Sequence, residues 1–382
     1  MNGSGMSPVL PLWSRSAQRV VKDNHWEFRG SEHPLLRSPK RPIMIADPKR
    51  VQSKIDKDRD KQSRYQHDFH AALDTPHSSI HATKVKSKRK LLITGANGFV
   101  AGSILAQAGN DWLVHALSRN PTPASADNWQ WHAFNPSAPG QLEKLIRELE
   151  PDSVIHTAAL ADIDFCQNHP ELARAVNVDL TRQIAEFCAR SNTRLIFCST
   201  DTIFDGERAP YKEEDAPGPV NLYAETKVEA EQLVRAVCRN SVVARLALVV
   251  GLPILGAGNS FLPTMIAGFK EGRTVAMSER EVRTPVDVIT VGRALIELAG
   301  SDHYGIFHLS GLSRVNRFEL ARVVAARFGF PQHLVLSQSA NDRPDRARRP
   351  RDVSLDNQKA CAALKTRMRT LDEGLSLILD GV

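Results

Sequence analysis

Residues 90–102 read Lys90-Leu-Leu-Ile-Thr94-Gly95-Ala96-Asn97-Gly98-Phe99-Val100-Ala101-Gly102. The continuous apolar run at the start is typical of a strand buried in a parallel sheet. Gly95 can make a tight turn off this strand, and Gly98 lets the backbone approach a pyrophosphate at the N-terminus of the following helix. Ala101 lets that helix pack close to the sheet. We therefore predict a phosphate-binding strand–turn–helix unit, although a glycine-rich turn without a ligand stays open as an alternative.

The pattern downstream alternates between strands and helices. A strand–helix–strand alternation predicts an α/β fold, a Rossmann-type doubly wound parallel sheet with helices on both faces. Residues 89–250 would form its NAD(P)-binding domain. The predicted strands are Trp112–Leu117, Ser153–His156, Arg194–Cys198 and Val242–Val250, and the predicted helices are Gly98–Gly109, Leu142–Leu149, Pro170–Arg190 and Tyr223–Cys238.

Residues 251–382 are less regular and are punctuated by Gly and Pro. We expect a smaller α/β lobe that binds substrate over the carboxyl ends of the strands, where open α/β sheets bind ligands. Parts of this segment should return to the first domain. Helices are predicted at Phe261–Lys270, Val291–Ala299, Arg317–Phe328 and Gln358–Leu364, and a strand at Ile306–Leu309.

The N-terminal quarter differs from the rest in charge and composition. Residues 1–90 hold 19 Lys and Arg against 9 Asp and Glu, whereas residues 91–382 hold 31 against 34. Residues 1–88 contain seven Pro and six His with few apolar clusters. We predict a disordered extension, because such a segment buries too little apolar surface to offset its ordering entropy. A start-site artefact and a basic arm that contacts nucleic acid or an acidic partner are alternatives. Nucleic-acid binding is not expected.

Cysteine usage and hydropathy point to a reducing compartment. The five Cys are odd in number and have no CxxC spacing, so we expect reduced, mostly buried thiols and no metal site. The longest apolar run, Leu246–Gly258, is broken by Gly251 and Pro253 and falls short of the ~20 residues that span a bilayer. No secretory signal is evident. We expect a cytoplasmic protein without a membrane anchor.

The end of the second predicted strand bears on which dinucleotide is bound. An acidic residue there would hydrogen-bond the adenosine ribose, whereas a cation accommodates a 2′-phosphate. The sequence offers Ser118-Arg119-Asn120 and no acid. This favours NADP(H), with NAD(H) as an alternative. Arg119 as a solvated surface residue is the other interpretation.

Tyr223 and Lys227 are four residues apart at the start of a predicted helix, so both lie on one face. A nearby cation favours phenolate and would lower the phenol pKa from about 10. Tyr223 could then protonate the alkoxide formed when hydride reaches a ketone. Thr200 follows the strand Arg194–Cys198 and could orient the carbonyl. A Tyr-x-x-x-Lys motif alone is weak evidence, because many surface helices contain one. Its position after the strand Arg194–Cys198 strengthens the prediction.

Small residues follow the strand that ends at His156. His156-Thr-Ala-Ala159 leaves room for a flat cofactor beside Ala158 and Ala159. We interpret His156 itself as a packed or hydrogen-bonded residue rather than a catalyst.

Taken together, these motifs resemble an extended short-chain dehydrogenase/reductase. The set Thr-Gly-Ala-Asn-Gly-Phe, His-Thr-Ala-Ala, Ser-Thr-Asp-x-x-Phe-Asp-Gly and Pro-x-Asn-x-Tyr-x-x-x-Lys occurs in order, and Ser199–Gly206 and Pro219–Lys227 are similar to dTDP-4-dehydrorhamnose reductases. The resemblance covers residues 89–382. It implies an NADPH-dependent oxidoreductase of the dTDP-rhamnose type, with a nucleotide-sugar substrate and a homodimer as expected partners.

The resemblance also implies roles for individual residues. It assigns catalysis to Thr200, Tyr223 and Lys227, cofactor binding to Gly95, Asn97, Gly98, Phe99, Val100, Ser118, Arg119, Asn135, Ala158, Ala159, Tyr223 and Lys227, and substrate binding to Thr200, Asp201, Asn221, Arg283 and Arg349. For either Arg, an ordinary structural ion pair is the alternative. This chain departs from the pattern at Thr202, where Tyr is usual, and at Phe165, where Lys is usual, so the sugar itself is left open.

The expected function is NADPH-dependent reduction of a nucleotide-linked 4-keto-6-deoxy sugar. A dehydratase of the same fold is disfavoured because Thr202 replaces the second carboxylate that such enzymes carry. A sugar-nucleotide epimerase with permanently held cofactor stays open. So does a non-catalytic NADP-binding regulator, because the methionine adenosyltransferase β subunit resembles the same family.

Overall fold

A computed structural model of the 382-residue chain describes residues 88–380, apart from 121–128, 137, 139, 255–259 and 339–345. The predicted N-terminal extension, except Lys88, lies outside the described residues. The strands are β1 (Arg89–Thr94), β2 (Trp112–Ser118), β3 (Trp129–Ala133), β4 (Ser153–His156), β5 (Arg194–Thr200), β6 (Ser241–Leu246), β7 (Val249–Val250), β8 (Val275–Met277), β9 (Val282–Arg283), β10 (Val286–Asp287), β11 (Gly305–Leu309), β12 (Val315–Asn316) and β13 (Val335–Ser337).

Helices connect the strands on alternate faces. They are α1 (Phe99–Gln107), α2 (Gln141–Leu149), α3 (Ile163–Asn168), α4 (Pro170–Arg174), α5 (Leu180–Ser191), α6 (Leu222–Val237), α7 (Phe261–Lys270), α8 (Val288–Ala299), α9 (Arg317–Arg327), α10 (Gln358–Ala363) and α11 (Leu371–Asp380).

Seven strands form one parallel sheet in the order β11-β6-β5-β4-β1-β2-β3. Thr94, the last residue of β1, is level with Leu117 of β2 and His156 of β4. Because all strands run the same way, their carboxyl ends share one edge of the sheet. The predicted Rossmann-type doubly wound α/β fold is confirmed.

The apolar residues of β1 alternate between the two faces of the sheet. Leu91 and Ile93 join a core that includes Ile104 of α1 and Leu295 of α8. Leu92 points the other way, into a core that includes Ile184 of α5. The uninterrupted apolar run Leu91–Ile93 is therefore explained by burial on both faces of the sheet.

A third core lies in the C-terminal segment, where α7, α9 and α11 pack together with the small sheet of β8 and β13. The same segment also contributes to the main sheet and its cover. Strand β11 pairs in parallel with β6, and α8 packs on α1. The C-terminal segment thus forms a core of its own and also completes the main sheet and its helical cover.

Two predicted elements differ from the structure. The helix predicted over Pro170–Arg190 is interrupted by a π turn at Ala175–Asp179. The strand predicted over Val242–Val250 is two strands, because the chain leaves the main sheet after Leu246. Strand β7 then pairs with β10 instead. An apolar run alone does not show where a strand changes partner.

No helix in the described ranges has the length and apolar character needed to cross a bilayer. Four Cys are buried as free thiols, in agreement with the prediction, and Cys361 is exposed. Among the described residues, no group of three or more His, Cys, Asp or Glu could hold a metal ion.

Candidate functional site

The loop between β1 and α1 is tight at both glycines. Gly95 has a φ of +69°, and a Cβ there would lie 2.7 Å from the Cα of Ala158. Gly98 is the N-cap of α1 and donates its N–H to the carbonyl of Gly95 at 2.8 Å. The glycines therefore bring the loop against the residues that follow β4, with the helix N-terminus at the carboxyl edge of the sheet. Such an end offers backbone donors to a phosphate.

The other loop residues leave backbone rather than side chains for a ligand. Phe99 is buried at the start of α1, and Val100 is partly buried. Asn97 donates its side-chain amide to the carbonyl of Asn120, which ties the loop to the end of β2. The first turn of α1 contains no acidic residue, so no side-chain charge there would repel a pyrophosphate.

An unsatisfied hydroxyl lies where the adenosine ribose is expected. Ser118 ends β2, is buried, and its Oγ has no hydrogen-bond partner among the described residues. Buried polar atoms are rarely left unbonded, so this hydroxyl fits a ligand oxygen. Arg119 is exposed beside it. Asn135 is exposed after β3, and its N–H bonds the Gln141 side chain at 2.9 Å.

His156 belongs to a buried hydrogen-bonded chain under the loop. Its Nδ1 lies 2.6 Å from the Thr94 hydroxyl, and its Nε2 lies 3.0 Å from that of Thr181. Burial lowers the pKa of His156 to about 3, so the ring is neutral. This is the hydrogen-bonded role that we predicted. Ala158 and Ala159, which follow it, are both partly buried.

Thr200 closes β5 and caps the short 3₁₀ turn that follows. Its Oγ accepts the N–H of Thr202 at 3.2 Å and lies 3.0 Å from the Thr202 hydroxyl. It also donates to Asp201 at 3.3 Å. Thr202, the residue that departs from the family pattern, therefore helps to orient the Thr200 hydroxyl.

Tyr223 lies in the first turn of α6 and is buried against Cys166 and Ala173. Burial raises its pKa well above the ordinary value, while the nearby Thr200 hydroxyl acts in the opposite direction. The negative charge of Asp201 raises it further. The prediction that a cation lowers this pKa is wrong for the structure as it stands. The phenol is instead held firmly in its protonated form.

Lys227 lies one turn beyond Tyr223 and is also buried. Its ammonium donates to the carbonyl of Cys198 at 2.7 Å and lies 4.1 Å from the centre of the Phe197 ring. Burial lowers the Lys227 pKa to about 8, against the opposing influence of Cys198 and Glu231. The cation is therefore fixed to the end of β5 beside Thr200.

Two of the predicted substrate residues meet at this edge. Asp201 is buried, and its Oδ2 lies 3.6 Å from the Nε of Arg283, which is also buried. Burial raises the pKa of Asp201 to about 6, although Arg283 draws it down. The structure thus brings Asp201 and Arg283 together next to Thr200.

Two further predicted substrate residues, Asn221 and Arg349, have structural partners. Asn221 caps α6 by accepting the N–H of Ala224 at 2.9 Å and donates to the carbonyl of Arg348 at 2.9 Å. Arg349 makes a two-pronged ion pair with Asp164 of α3, at 2.6 and 2.8 Å. Its guanidinium is therefore engaged, as the ion-pair alternative expected.

One cation near this cluster was not predicted. Arg317 begins α9 directly after β12, which pairs with β9 and so lies beside Arg283. Nothing in the sequence around Arg317 marks it, because it has no motif and follows a two-residue strand. Only the antiparallel pairing of β9 with β12 reveals its position.

A family model described as the RmlD substrate binding domain matches residues 89–382. The chain belongs to this family. The match covers the whole Rossmann-type sheet and the C-terminal segment, and leaves out the basic N-terminal quarter.

Relatives of this RmlD-family chain include methionine adenosyltransferase subunits and dTDP-4-dehydrorhamnose reductases. Methionine adenosyltransferase 2 subunit beta from Bos taurus is 31% identical over 287 residues, which cover 73% of this chain and 82% of that protein. A dTDP-4-dehydrorhamnose reductase from Sinorhizobium fredii is 29% identical over 308 residues, which cover 76% of this chain and 99% of that protein.

Solved structures share the fold. A dTDP-4-dehydrorhamnose reductase from Bacillus anthracis, crystallised in complex with NADP, superposes with a TM-score of 0.67. It is 23% identical, and the match covers 78% of this chain and all of that one. A protein described as a hypothetical dTDP-4-dehydrorhamnose reductase from Sulfolobus tokodaii gives a TM-score of 0.64 at 28% identity, covering 74% and 98% of the two chains.

Proposed function

We propose that this protein is an NADPH-dependent reductase of a nucleotide-linked 4-keto-6-deoxy sugar. The observation that carries the proposal is that Thr200 and Tyr223 are buried next to each other beside Lys227, at the same sheet edge as the glycine loop. Relatives named dTDP-4-dehydrorhamnose reductase support the substrate class.

The residues of the loop fit a dinucleotide. The backbone from Asn97 to Val100 would hold the pyrophosphate at the N-terminus of α1. Ser118 would hydrogen-bond the adenosine ribose, and Arg119 would meet a 2′-phosphate. Asn135 would lie beside the adenine, and Ala158 and Ala159 would leave space for the cofactor. A solved neighbour of the same fold binds NADP, and others bind NAD.

The chemistry follows from the positions of the two hydroxyl groups. Bound NADPH supplies the hydride that is added to C4 of the sugar. Thr200 would donate a hydrogen bond to the C4 carbonyl oxygen, with Thr202 taking up the other side of its hydroxyl. Tyr223 would transfer its phenolic proton to the same oxygen, which gives a secondary alcohol, and would regain a proton from solvent.

Lys227 would assist by its charge. A phenolate left after proton transfer is stabilised by a cation nearby, and Lys227 is fixed one turn away on the same helix. The high pKa of Tyr223 in the free protein means that the proton is retained until substrate and cofactor change its surroundings.

The experiment is a screen of the purified chain against nucleotide-linked 4-ketosugars with NADPH and with NADH, in which loss of reduced-cofactor absorbance is followed. Turnover with NADPH on at least one such sugar is the expected result. Copurified cofactor with no net oxidation of added NADPH would instead indicate an epimerase.

A second candidate function is supported by the 31% identity to methionine adenosyltransferase 2 subunit beta. In that case the chain would bind NADP and a synthetase partner without reducing a sugar. Capture of a methionine adenosyltransferase by the tagged chain, together with no ketosugar reduction in the screen, would favour this function over the first.

A further inference from the structure

The arginine at the start of α9 is held next to Arg283 by the backbone. Val315 of β12 pairs with Arg283 of β9, and the N–H of Arg317 donates to the carbonyl of Glu281 at 3.0 Å. The capping box between Asn316 and Glu319 then fixes the start of the helix. The main chain therefore places Arg317, at the start of α9, beside the strand that carries Arg283.

The guanidinium N–H groups of Arg317 have few partners among the described residues. Within the described ranges its guanidinium donates no hydrogen bond and makes no ion pair; its one ring contact places it 4.5 Å from the centre of Phe261. Burial lowers its pKa to about 10, and the like charge of Arg283 lowers it further against the influence of Glu281. A guanidinium has five N–H donors, so several of those on Arg317 are left for a ligand.

The nearby carboxylates make ion pairs with Arg283 but no hydrogen bonds. Arg283 lies 3.6 Å from Asp201 and 4.0 Å from Glu281, distances too long for hydrogen bonds. The Oδ2 of Asp201 has no hydrogen-bond partner in the described part of the chain. Arg283 also donates to the carbonyl of Val282 at 2.8 Å, so Arg317 is the less engaged of the two guanidinium groups.

Arg349, in contrast, is fully used. Asp164 takes both prongs of its guanidinium, and the carbonyl of Ala347 accepts a further bond. To bind a ligand anion, Arg349 would first have to break this pair. Arg317 needs no such exchange.

We propose that Arg317, together with Arg283, binds the diphosphate of the nucleotide sugar, whereas the family resemblance assigned substrate binding to Arg283 and Arg349. This inference rests on the proposed function, since it assumes a nucleoside diphosphate as part of the substrate. Guanidinium groups suit phosphate because their planar donors bind its oxygens in pairs. The neighbouring Asp201 and Thr200 would then place the sugar next to Tyr223.

The test is the affinity of the full-length protein for deoxythymidine diphosphate and uridine diphosphate, measured by isothermal titration calorimetry at low salt. Arg317→Met keeps an apolar stem over Phe261 and removes the charge. This variant should weaken diphosphate binding by roughly 10- to 100-fold, as expected for losing hydrogen bonds from a charged group. Arg317→Lys should recover part of the affinity because it restores the charge without the planar donors.

The matched control is Arg322→Met. Arg322 lies on the same helix, 5.9 Å from the Phe318 ring, and bonds Gln332 at the surface. This variant should leave diphosphate affinity unchanged. NADPH affinity should be the same in all variants, which would show that Arg317→Met is folded.

The outcomes separate the two proposals. Unchanged diphosphate affinity in Arg317→Met, with clear binding to wild type, would overturn the inference and leave the proposed function standing. Loss of diphosphate affinity in Arg349→Met but not in Arg317→Met would also overturn the inference, because it would show that the ion pair between Arg349 and Asp164 opens. If wild type binds neither diphosphate, both proposals fall.

Discussion

The ammonium of Lys227 donates to the carbonyl oxygen of Cys198, and the two are 2.7 Å apart. Cys198 is two residues before Thr200 on β5, so this bond couples the helix that carries Tyr223 to the strand that carries Thr200. The cation also lies over Phe197, which shields it from solvent. This bond therefore helps to fix the helix that carries Tyr223 and Lys227 against the strand that ends at Thr200.

The pH dependence of stability should reveal this buried lysine. Burial lowers the Lys227 pKa to about 8, so between pH 8 and its ordinary value near 10.5 the unfolded chain binds more protons than the folded one. The free energy of unfolding should therefore rise with pH over this window. Lys227→Met should remove that rise, which amounts to a few kcal/mol at most because one pKa unit corresponds to about 1.4 kcal/mol.

Urea unfolding at pH 7.5, 9 and 10.5 measures this effect. Lys359→Met is the control, because Lys359 also bonds a carbonyl and contacts a phenylalanine ring but lies at the surface. Its pH profile should follow that of wild type. If Lys227→Met also runs parallel to wild type, Lys227 does not titrate in this range.

Tyr223→Phe should reduce turnover by at least ~10²-fold, as expected when a positioned proton donor is lost. The ring still fills the space against Cys166, so NADPH affinity should be unchanged. Steady-state oxidation of NADPH with the ketosugar substrate gives the rate, and fluorescence titration gives the affinity. Tyr304→Phe is the control, because Tyr304 is 77% exposed. Equal rates for wild type and Tyr223→Phe would refute the assigned role.

Arg119→Ala should weaken NADPH more than NADH, since only NADPH carries the 2′-phosphate that an arginine binds in pairs of donors. A loss of about tenfold for NADPH corresponds to one charge-assisted interaction. Calorimetry with both cofactors measures the ratio. Arg235→Ala, at an exposed position of α6, should leave it unchanged. A cofactor preference that survives in Arg119→Ala would contradict the assignment of NADP(H) to this site.

Gly95→Ala should destabilise the protein by roughly 2–4 kcal/mol, the sum of a left-handed backbone cost and a steric one. The steric part comes from Ala158, whose Cα would lie 2.7 Å from the added carbon. Gly329 isolates the backbone part, because its φ is +73° and nothing lies within 4 Å of an added Cβ. Thermal unfolding of both variants tests this. If Gly329→Ala and Gly95→Ala lower the stability equally, the contact with Ala158 adds no steric cost and the prediction is wrong.

The central strands were predictable from sequence for a simple reason. Strands such as β1 and β5 are buried on both faces, and continuous apolar runs are typical of that environment. Strand β3 was missed because it lies at the sheet edge, where Trp129–Ala133 is mostly half-buried and mixes polar with aromatic residues.

The last helix was missed for a different reason. Gly374 lies inside α11, and a glycine there lowers helix propensity. The structure explains its presence, since an added Cβ would lie 3.0 Å from the side chain of Asp287, the residue that caps α8. Tertiary packing here outweighs local propensity.

Sequence patterns predicted the part of the candidate site that lies within recognisable motifs. Thr200, Tyr223 and Lys227 come together as their spacing suggested. The partners of Arg349 and the position of Arg317 depend on contacts between segments more than thirty residues apart, such as the 185-residue separation of Asp164 and Arg349. Local patterns carry no information about such pairs.

The pairing of β11 with β6 has a practical consequence for anyone preparing a shorter version of this protein. A fragment that stops at residue 250 would keep every residue of the glycine loop, yet it would leave β6 as a bare edge, with Val242 and Ala244 of the core partly uncovered. It would also remove α8 from α1, the helix whose N-terminus we propose binds the pyrophosphate. The dinucleotide half should therefore aggregate when expressed alone, and cofactor titrations need the chain through α11.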